Sequence, residues 1–300
     1  MRAVRFHEFG TAEVLVVEEI PEPRAAEGQV AVQVSAAGVN FADTIVRSGC
    51  VPIPLPFTAG FEVVGEADGQ RVIGSTMGGG YAEHVVLSAA LPVPDELDDH
   101  TALAVFGNGA AALGIVGAAR VQSGETVFVD AAAGGVGSLV VQLAKSAGAT
   151  VIAGVGSAGK VEQVRALGAD RVVDYLQSGW TENVGPVHIV LDTVGGSVAT
   201  AAFTLLVPSV GRIVLAGTSS GEPPNIEPAA VLSKSVSVIG YASALLPPEQ
   251  QAELRVRALE LGRAGDLKPI LGQVFPLDRA ADAHRAVESR ATVGKVILQL

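Results

Sequence analysis

The chain has 300 residues, 49% of them apolar and only 4% aromatic, with a formal net charge of −11 at pH 7. That length suits one large or two medium domains with a sizeable core, and the acidic balance argues against a nucleic-acid surface, since phosphate contacts need clustered Lys and Arg. A single cysteine, Cys50, excludes internal disulfides and any multi-cysteine zinc lobe, and points to a reducing compartment.

The start, MRAVRFHEFG, runs directly into alternating strand-like sequence without a signal-type apolar stretch, so a cytoplasmic location is expected. Residues 1–94 read as β. Met1–Phe6, Glu13–Glu18, Gln29–Ala36, Ala59–Glu66, Arg71–Gly74 and Ala82–Leu87 form short runs punctuated by Gly and Pro. That rhythm suggests a small barrel or open antiparallel sheet. At Asp95 the character changes. Asp95–Val105 has acidic residues early and apolar ones later, as a helix start should, and Ala110–Ala119 reads as a second helix.

Glu125–Gly148 follows, ETVFVDAAAGGVGSLVVQLAKSAG. Thr126–Val129 reads as a buried parallel strand, then comes a tight glycine turn, then a helix over Ser138–Ala147 that stops at Gly148. Strand, glycine turn, helix is the phosphate-binding half of a βαβ unit. Strands and helices then alternate: strands at Thr150–Val155, Arg171–Asp174, Val187–Asp192, Gly211–Ala216 and Ser235–Gly240, helices at Ala158–Leu167 and Ser197–Leu206. This predicts a doubly wound parallel sheet with right-handed crossovers. Helices at Pro247–Leu261 and Asp278–Ser289 and strands at Val274–Pro276 and Lys295–Leu300 complete the chain. A β-rich start, an α/β middle and a return segment imply a discontinuous first domain, 1–108 with 245–300, around a second at 109–244, and ligands bind by default in the cleft between such domains.

In the NAD form of this fold a carboxylate at the end of the second strand binds the ribose 2′-OH. Here that strand is followed by Gly156-Ser157-Ala158-Gly159-Lys160, with no carboxylate, and Tyr175 lies at the end of the third strand. Ser157 and Lys160 would receive a 2′-phosphate that a carboxylate would repel, which favours NADP(H). His7, His84, His100, His188 and His284 are scattered without ligand spacing, so no zinc is expected.

AAGVNFADTIVRSG (36–49), GGGYAEHV (78–85), AAAGGVGSLVVQLAKSAGA (131–149), GSAGKVEQVRALGAD (156–170) and SRATVGKVIL (289–298), in that order, resemble the medium-chain dehydrogenase/reductase superfamily, and within it the zinc-free quinone oxidoreductases (the ζ-crystallin-like group). The resemblance implies a GroES-like β-barrel domain plus a Rossmann domain, a homodimer joined through the Rossmann sheets, and NADPH with its nicotinamide in the interdomain cleft. Carried over by position, Ala133, Gly134, Gly135, Val136 and Gly137 form the pyrophosphate turn. Ser157, Lys160 and Tyr175 form the 2′-phosphate set, with Arg290 as an additional contact. Asn40 lies near the nicotinamide ribose, and Thr193, Ala216, Gly217, Thr218 and Tyr241 line the coenzyme.

The departures are specific. Positions that carry metal ligands in zinc-dependent members read VNFAD and Gly60-Phe61-Glu62 here, and two pocket tyrosines are replaced by Ile45 and Val51. Without a metal to polarise a carbonyl, the substrate must itself accept electrons readily. Phe41, Ile45, Val51 and Phe106 would supply apolar walls, and Asn40 and Asn108 are the candidate donors to a developing oxyanion. Three readings stand: an NADPH-dependent quinone reductase, an enone reductase, and a non-catalytic NADPH-binding protein of sensor or crystallin type. A small-molecule substrate and no membrane or nucleic-acid partner are expected.

Overall fold

The chain begins as antiparallel sheet because its apolar residues alternate over short runs bounded by turns. The computed structural model describes residues 1–300 and divides into two units, Met1–Gly107 with Leu259–Leu300, and Asn108–Ala258. In the first unit the elements are β1 (Arg2–Phe6), β2 (Val16–Glu19), β3 (Val30–Val39), α1 (Phe41–Arg47), β4 (Phe57–Thr58), β5 (Glu62–Ala67), β6 (Gln70–Ser75), β7 (His84–Leu87) and β8 (Leu91–Pro92). The hairpin β5–β6 closes through Asp68-Gly69, both at positive φ (50° and 74°), the two-residue turn whose twist matches its strands.

The sequence reads two helices at 95–119, yet the structure has one, α2 (Asp99–Ala119), running through Phe-Gly-Asn-Gly. The glycines serve close approach there, not termination. A Cβ on Gly107 would lie 1.8 Å from Glu62 Oε1, and one on Gly114 would lie 1.6 Å from the Tyr241 hydroxyl oxygen. Length and a mean hydropathy of 1.7 would let this helix span a membrane. It is a core helix instead, with Ala102, Leu103, Val105, Phe106, Ala112 and Ile115 buried.

The second unit is a six-stranded parallel sheet built from β9 (Thr126–Val129), β10 (Thr150–Val155), β11 (Arg171–Asp174), β12 (Ile189–Asp192), β13 (Arg212–Leu215) and β14 (Ser237–Gly240). Its helices are α3 (Gly135–Ser146), α4 (Val161–Arg165), α5 (Trp180–Val184), α6 (Gly196–Thr204) and α7 (Pro228–Lys234). The strand order is β11-β10-β9-β12-β13-β14, the doubly wound order with its switch point between β9 and β12. The expected helix at Ala158–Leu167 is a 3₁₀ turn, Ala158–Lys160, followed by the short α4.

After α8 (Pro248–Ala264) the chain returns to the first unit as β15 (Leu271–Pro276), α9 (Ala280–Glu288) and β16 (Lys295–Gln299). There β16 inserts between β15 and β3 in the order β15-β16-β3-β5-β6-β8. This sheet brings the end of β3 beside the starts of β5 and β16, which run antiparallel to it.

Candidate active site

The glycine turn is shaped by steric need. A Cβ on Gly137 would lie 2.3 Å from the carbonyl oxygen of Ala131, so the helix can start this close to β9 only on glycine. Gly134 is the N-cap of α3 and has no side chain to cap with, and no acidic residue lies in the first turn. The first i→i−4 bond runs from the Ser138 N–H to Gly134 C=O, so the N–H groups of Gly135, Val136 and Gly137 fall in the unpaired first turn. These donors and the helix dipole fit a pyrophosphate. Ala133 is buried beneath them.

At the end of β10 no carboxylate occurs. Ser157 has extended backbone there, and Lys160 is half-buried, which pulls its ammonium below its ordinary value. Tyr175 packs its ring on Gly154 and Gly156. A doubly charged phosphate among these groups would offset the desolvation of Lys160, so the residues fit a 2′-phosphate. Arg290 belongs to the first unit, at φ 55° just beyond α9.

Between the glycine turn and the loop after β12 lies a buried pair that sequence reading passes over. Asp130 and Asp192, both wholly inaccessible, end adjacent strands. Asp130 Oδ1 accepts from the Thr193 N–H at 2.8 Å and its hydroxyl at 3.1 Å, while Asp192 Oδ1 accepts from the N–H groups of Val194 and Gly195. The Thr193 hydroxyl is therefore committed to Asp130. Neither Oδ2 has an N–H or hydroxyl donor from another residue, and a proton on Asp130, hydrogen-bonded to Asp192, relieves the repulsion between the two side chains. Burial and then the neighbouring Asp192 push Asp130 well above the ordinary carboxylate range.

This has a sign. The folded state keeps that proton where the unfolded chain has lost it, so stability is full below the unfolded carboxyl pKa and declines as pH rises toward the raised one. Asp130→Asn replaces the shared proton with an amide N–H. It is expected to melt above the wild type at pH 8, with the gap closing toward pH 5; parallel melting curves across that range would refute the shared proton.

The first unit holds a separate cluster of buried polar groups. Asn40 is the N-cap of α1, where an Asn side chain ordinarily caps its own helix. In addition to a capping box with Asp43, the carboxamide meets two charged groups. Its Oδ1 accepts from Lys295 Nζ at 2.7 Å, its Nδ2 donates to Glu62 Oε2 at 3.1 Å, and Lys295 Nζ donates to the same Oε2 at 2.5 Å. Lys295 is 2% exposed and Glu62 5%, so this ion pair is buried. Asp43 supports Asn40 from behind, its Oδ2 accepting the Asn40 N–H at 2.8 Å, and burial pushes its carboxyl up to about 7. Beyond it, Tyr81 meets His284 Nε2 at 3.3 Å, and burial takes that imidazole down to about 3, leaving it neutral.

The remaining positions are distributed as follows. Phe41 and Ile45 are half-buried on α1 and Val51 is exposed. Phe106 does not form an open wall: at 2% exposure it packs among Val64, Ile73 and Leu103 in the core. Asn108 is buried on α2. Ala216, Gly217 and Thr218 follow β13, where a Cβ on Gly217 would lie 2.7 Å from the Thr193 carbonyl. The Tyr241 hydroxyl is buried against Gly114 without a hydrogen-bond partner.

Residues 26–95 match the alcohol dehydrogenase GroES-like domain, and residues 167–298 match the zinc-binding dehydrogenase family. The quinone oxidoreductase of pig (Sus scrofa) is 30% identical over 326 residues, covering 100% of this chain and 98% of the pig protein. The chain belongs to the quinone oxidoreductase group of the medium-chain dehydrogenase/reductase superfamily.

Among solved structures of similar proteins, Escherichia coli quinone oxidoreductase complexed with NADPH aligns at TM-score 0.92 and 29% identity over 100% of both chains. An NAD-dependent alcohol dehydrogenase aligns at 0.90 and 31%, again over 100% of both. The fold is thus shared by proteins of either coenzyme, and the end of β10 has to discriminate. The zinc implied by one family name does not fit this quinone oxidoreductase homologue: nowhere do three His, Cys, Asp or Glu side chains converge, and Glu62 is already engaged by Lys295 and Asn40.

Proposed function

We propose that this protein is a zinc-independent NADPH-dependent oxidoreductase that reduces quinones. The observation that carries this reading is the uncapped N-terminus of α3 behind Gly134–Gly137, followed at the end of β10 by Ser157 and Lys160 where an NAD site has a carboxylate. The quinone oxidoreductase of Escherichia coli, similar over the whole chain, was solved with NADPH.

When bound, NADPH supplies a hydride. The chain's own residues do the rest. The α3 N–H groups hold the pyrophosphate, Ser157 and Lys160 take the 2′-phosphate, and Phe41 and Ile45 give the acceptor an apolar wall that excludes water. Asn40 presents the one Nδ2–H that Glu62 leaves free to the oxygen that gains charge. A quinone suits such a site because it needs no Lewis acid.

NADPH oxidation with para-benzoquinone or phenanthrenequinone tests the reading, with an alkenal as the enone arm. Turnover of the alkenal alone would make the protein an enone reductase. NADPH binding without oxidation by any of them would leave only a coenzyme-binding protein. The zinc claim predicts unchanged activity after dialysis against a chelator. Lys160→Glu is expected to weaken NADPH binding by about 10–100-fold, the scale of one charge-assisted contact reversed in sign, while NADH binding changes little; equal loss for both coenzymes would exclude a 2′-phosphate role.

A homodimer through the Rossmann sheet belongs to the same reading. It is supported by β14, an edge strand with an exposed Val238, and by the exposed Leu245 nearby in sequence. A cytoplasmic setting is likewise proposed, on the single exposed Cys50.

A further inference from the structure

We propose that Glu62 and Lys295 are positioning residues that lock the Asn40 carboxamide in one orientation, leaving a single N–H for the bound ligand. The proposal rests on the reading of Asn40 as a ligand-facing group. Its geometry is self-determining. An ammonium only donates and a carboxylate only accepts, so Lys295 must face Oδ1 and Glu62 must face Nδ2. A flipped amide would set Nδ2 against the ammonium and Oδ1 against the carboxylate, losing both bonds to like polarity.

Two features show that the molecule is built around this arrangement. The three groups come from three adjacent strands, at the end of β3 and the starts of β5 and β16. Space for them is kept by glycine on two sides. A Cβ on Gly38 would lie 2.6 Å from Glu62 Oε2 and 2.7 Å from Lys295 Nζ, and one on Gly107 would lie 1.8 Å from Glu62 Oε1. A buried ion pair as such adds little to stability compared with apolar residues of the same volume. Its bonds to Asn40 give it a use that stability does not.

The test is a double replacement, Glu62→Leu with Lys295→Met, which removes both charges together and keeps the volume. The variant is expected to stay folded and bind NADPH within about threefold of wild type, while kcat for quinone falls about 10–100-fold, the cost of a poorly held catalytic group. On an Asn40→Ala background the same double replacement should lower kcat no further, because the pair acts only through Asn40. Wild-type kcat in the double variant, or an equal loss on both backgrounds, would overturn the proposal.

A second readout is independent of turnover and of the variant's folding. The chain has four asparagines, Asn40, Asn108, Asn183 and Asn225, so asparagine-selective ¹⁵N labelling gives four side-chain amide pairs, with Asn40 assigned by its loss in Asn40→Ala. In the wild type its two Nδ2 hydrogens should differ widely in shift, with one strongly protected from solvent exchange. An exposed-type Asn40 amide would refute the lock even if quinone reduction holds, and a locked amide in a protein that oxidises no NADPH would refute the function and leave the lock standing.

Discussion

Lys295→Met alone, with Glu62 left in place, is expected to destabilise the first unit by about 3–5 kcal/mol, the range found when one partner of a buried pair is removed. The intact pair is close to neutral in net stability, because mutual attraction roughly offsets the desolvation of both groups. Removing the ammonium leaves that balance one-sided. Glu62 stays 5% exposed with only Asn40 Nδ2 as a donor to its Oε2, and the carboxylate must then take up a proton, draw in water or unfold the strand start. Adding Glu62→Leu should recover most of the loss. The probes need care. Trp180, the only tryptophan, stacks on Phe128 in the second unit at 5.2 Å, so its fluorescence reports that unit alone. Urea unfolding followed by far-ultraviolet circular dichroism should show the shifted component, and a midpoint indistinguishable from wild type would mean the pair is not buried as described.

Gly137→Ala is the second large effect. Alanine is the better helix former by about 0.5–1 kcal/mol, so propensity alone predicts stabilisation. Sterics reverse the sign. The new Cβ would meet Ala131 O at 2.3 Å, Ala131 C at 2.8 Å and Ala132 Cα at 3.0 Å, all backbone atoms that cannot swing aside. The turn must open, at about 1–3 kcal/mol for overpacking, and the N–H groups of α3 shift off the phosphate. NADPH affinity is expected to fall about 100-fold, the scale of a displacement of about 1 Å. Gly117→Ala is the control, since nothing lies within 4 Å of its Cβ, and it should leave binding unchanged. Fluorescence titration of NADPH against both variants decides the matter; equal affinities would remove the turn from the coenzyme site.

What the sequence disclosed and what it hid follow from the range of the interactions. The glycine turn, the missing carboxylate beyond β10 and the strand–helix alternation are local patterns, set within a few residues, and they were legible. The helix break expected at Gly107 was not there, because that glycine answers to Glu62, which lies far from it in the chain. Glu62 and Lys295 were visible only as single charges opening apolar strands, FEVVG and GKVIL, and their separation of 233 residues leaves no local trace of pairing. A charge of each sign at the mouth of an apolar run was the available signal. The Asp130–Asp192 pair was hidden in the same way: each carboxylate reads alone as a strand-end turn residue, and only the register of β9 beside β12 brings them together. Phe106 was misplaced because an aromatic beside the glycine pair looks the same whether it faces a cavity or a core.

The insertion of β16 between β15 and β3 has a consequence for biosynthesis. The second unit, Asn108–Ala258, is continuous in the chain and complete once it has left the ribosome. The first is not, because β3 pairs with β5 and β7 but lacks its third partner, β16, until residues 295–299 are made. The order of folding on the ribosome therefore inverts the order of synthesis: the later-made unit closes first, and the N-terminal sheet waits with an open edge at β3 until β16 is made. Stalled nascent chains ending near residue 290 should accordingly be resistant to protease across the second unit and cleaved freely in the first.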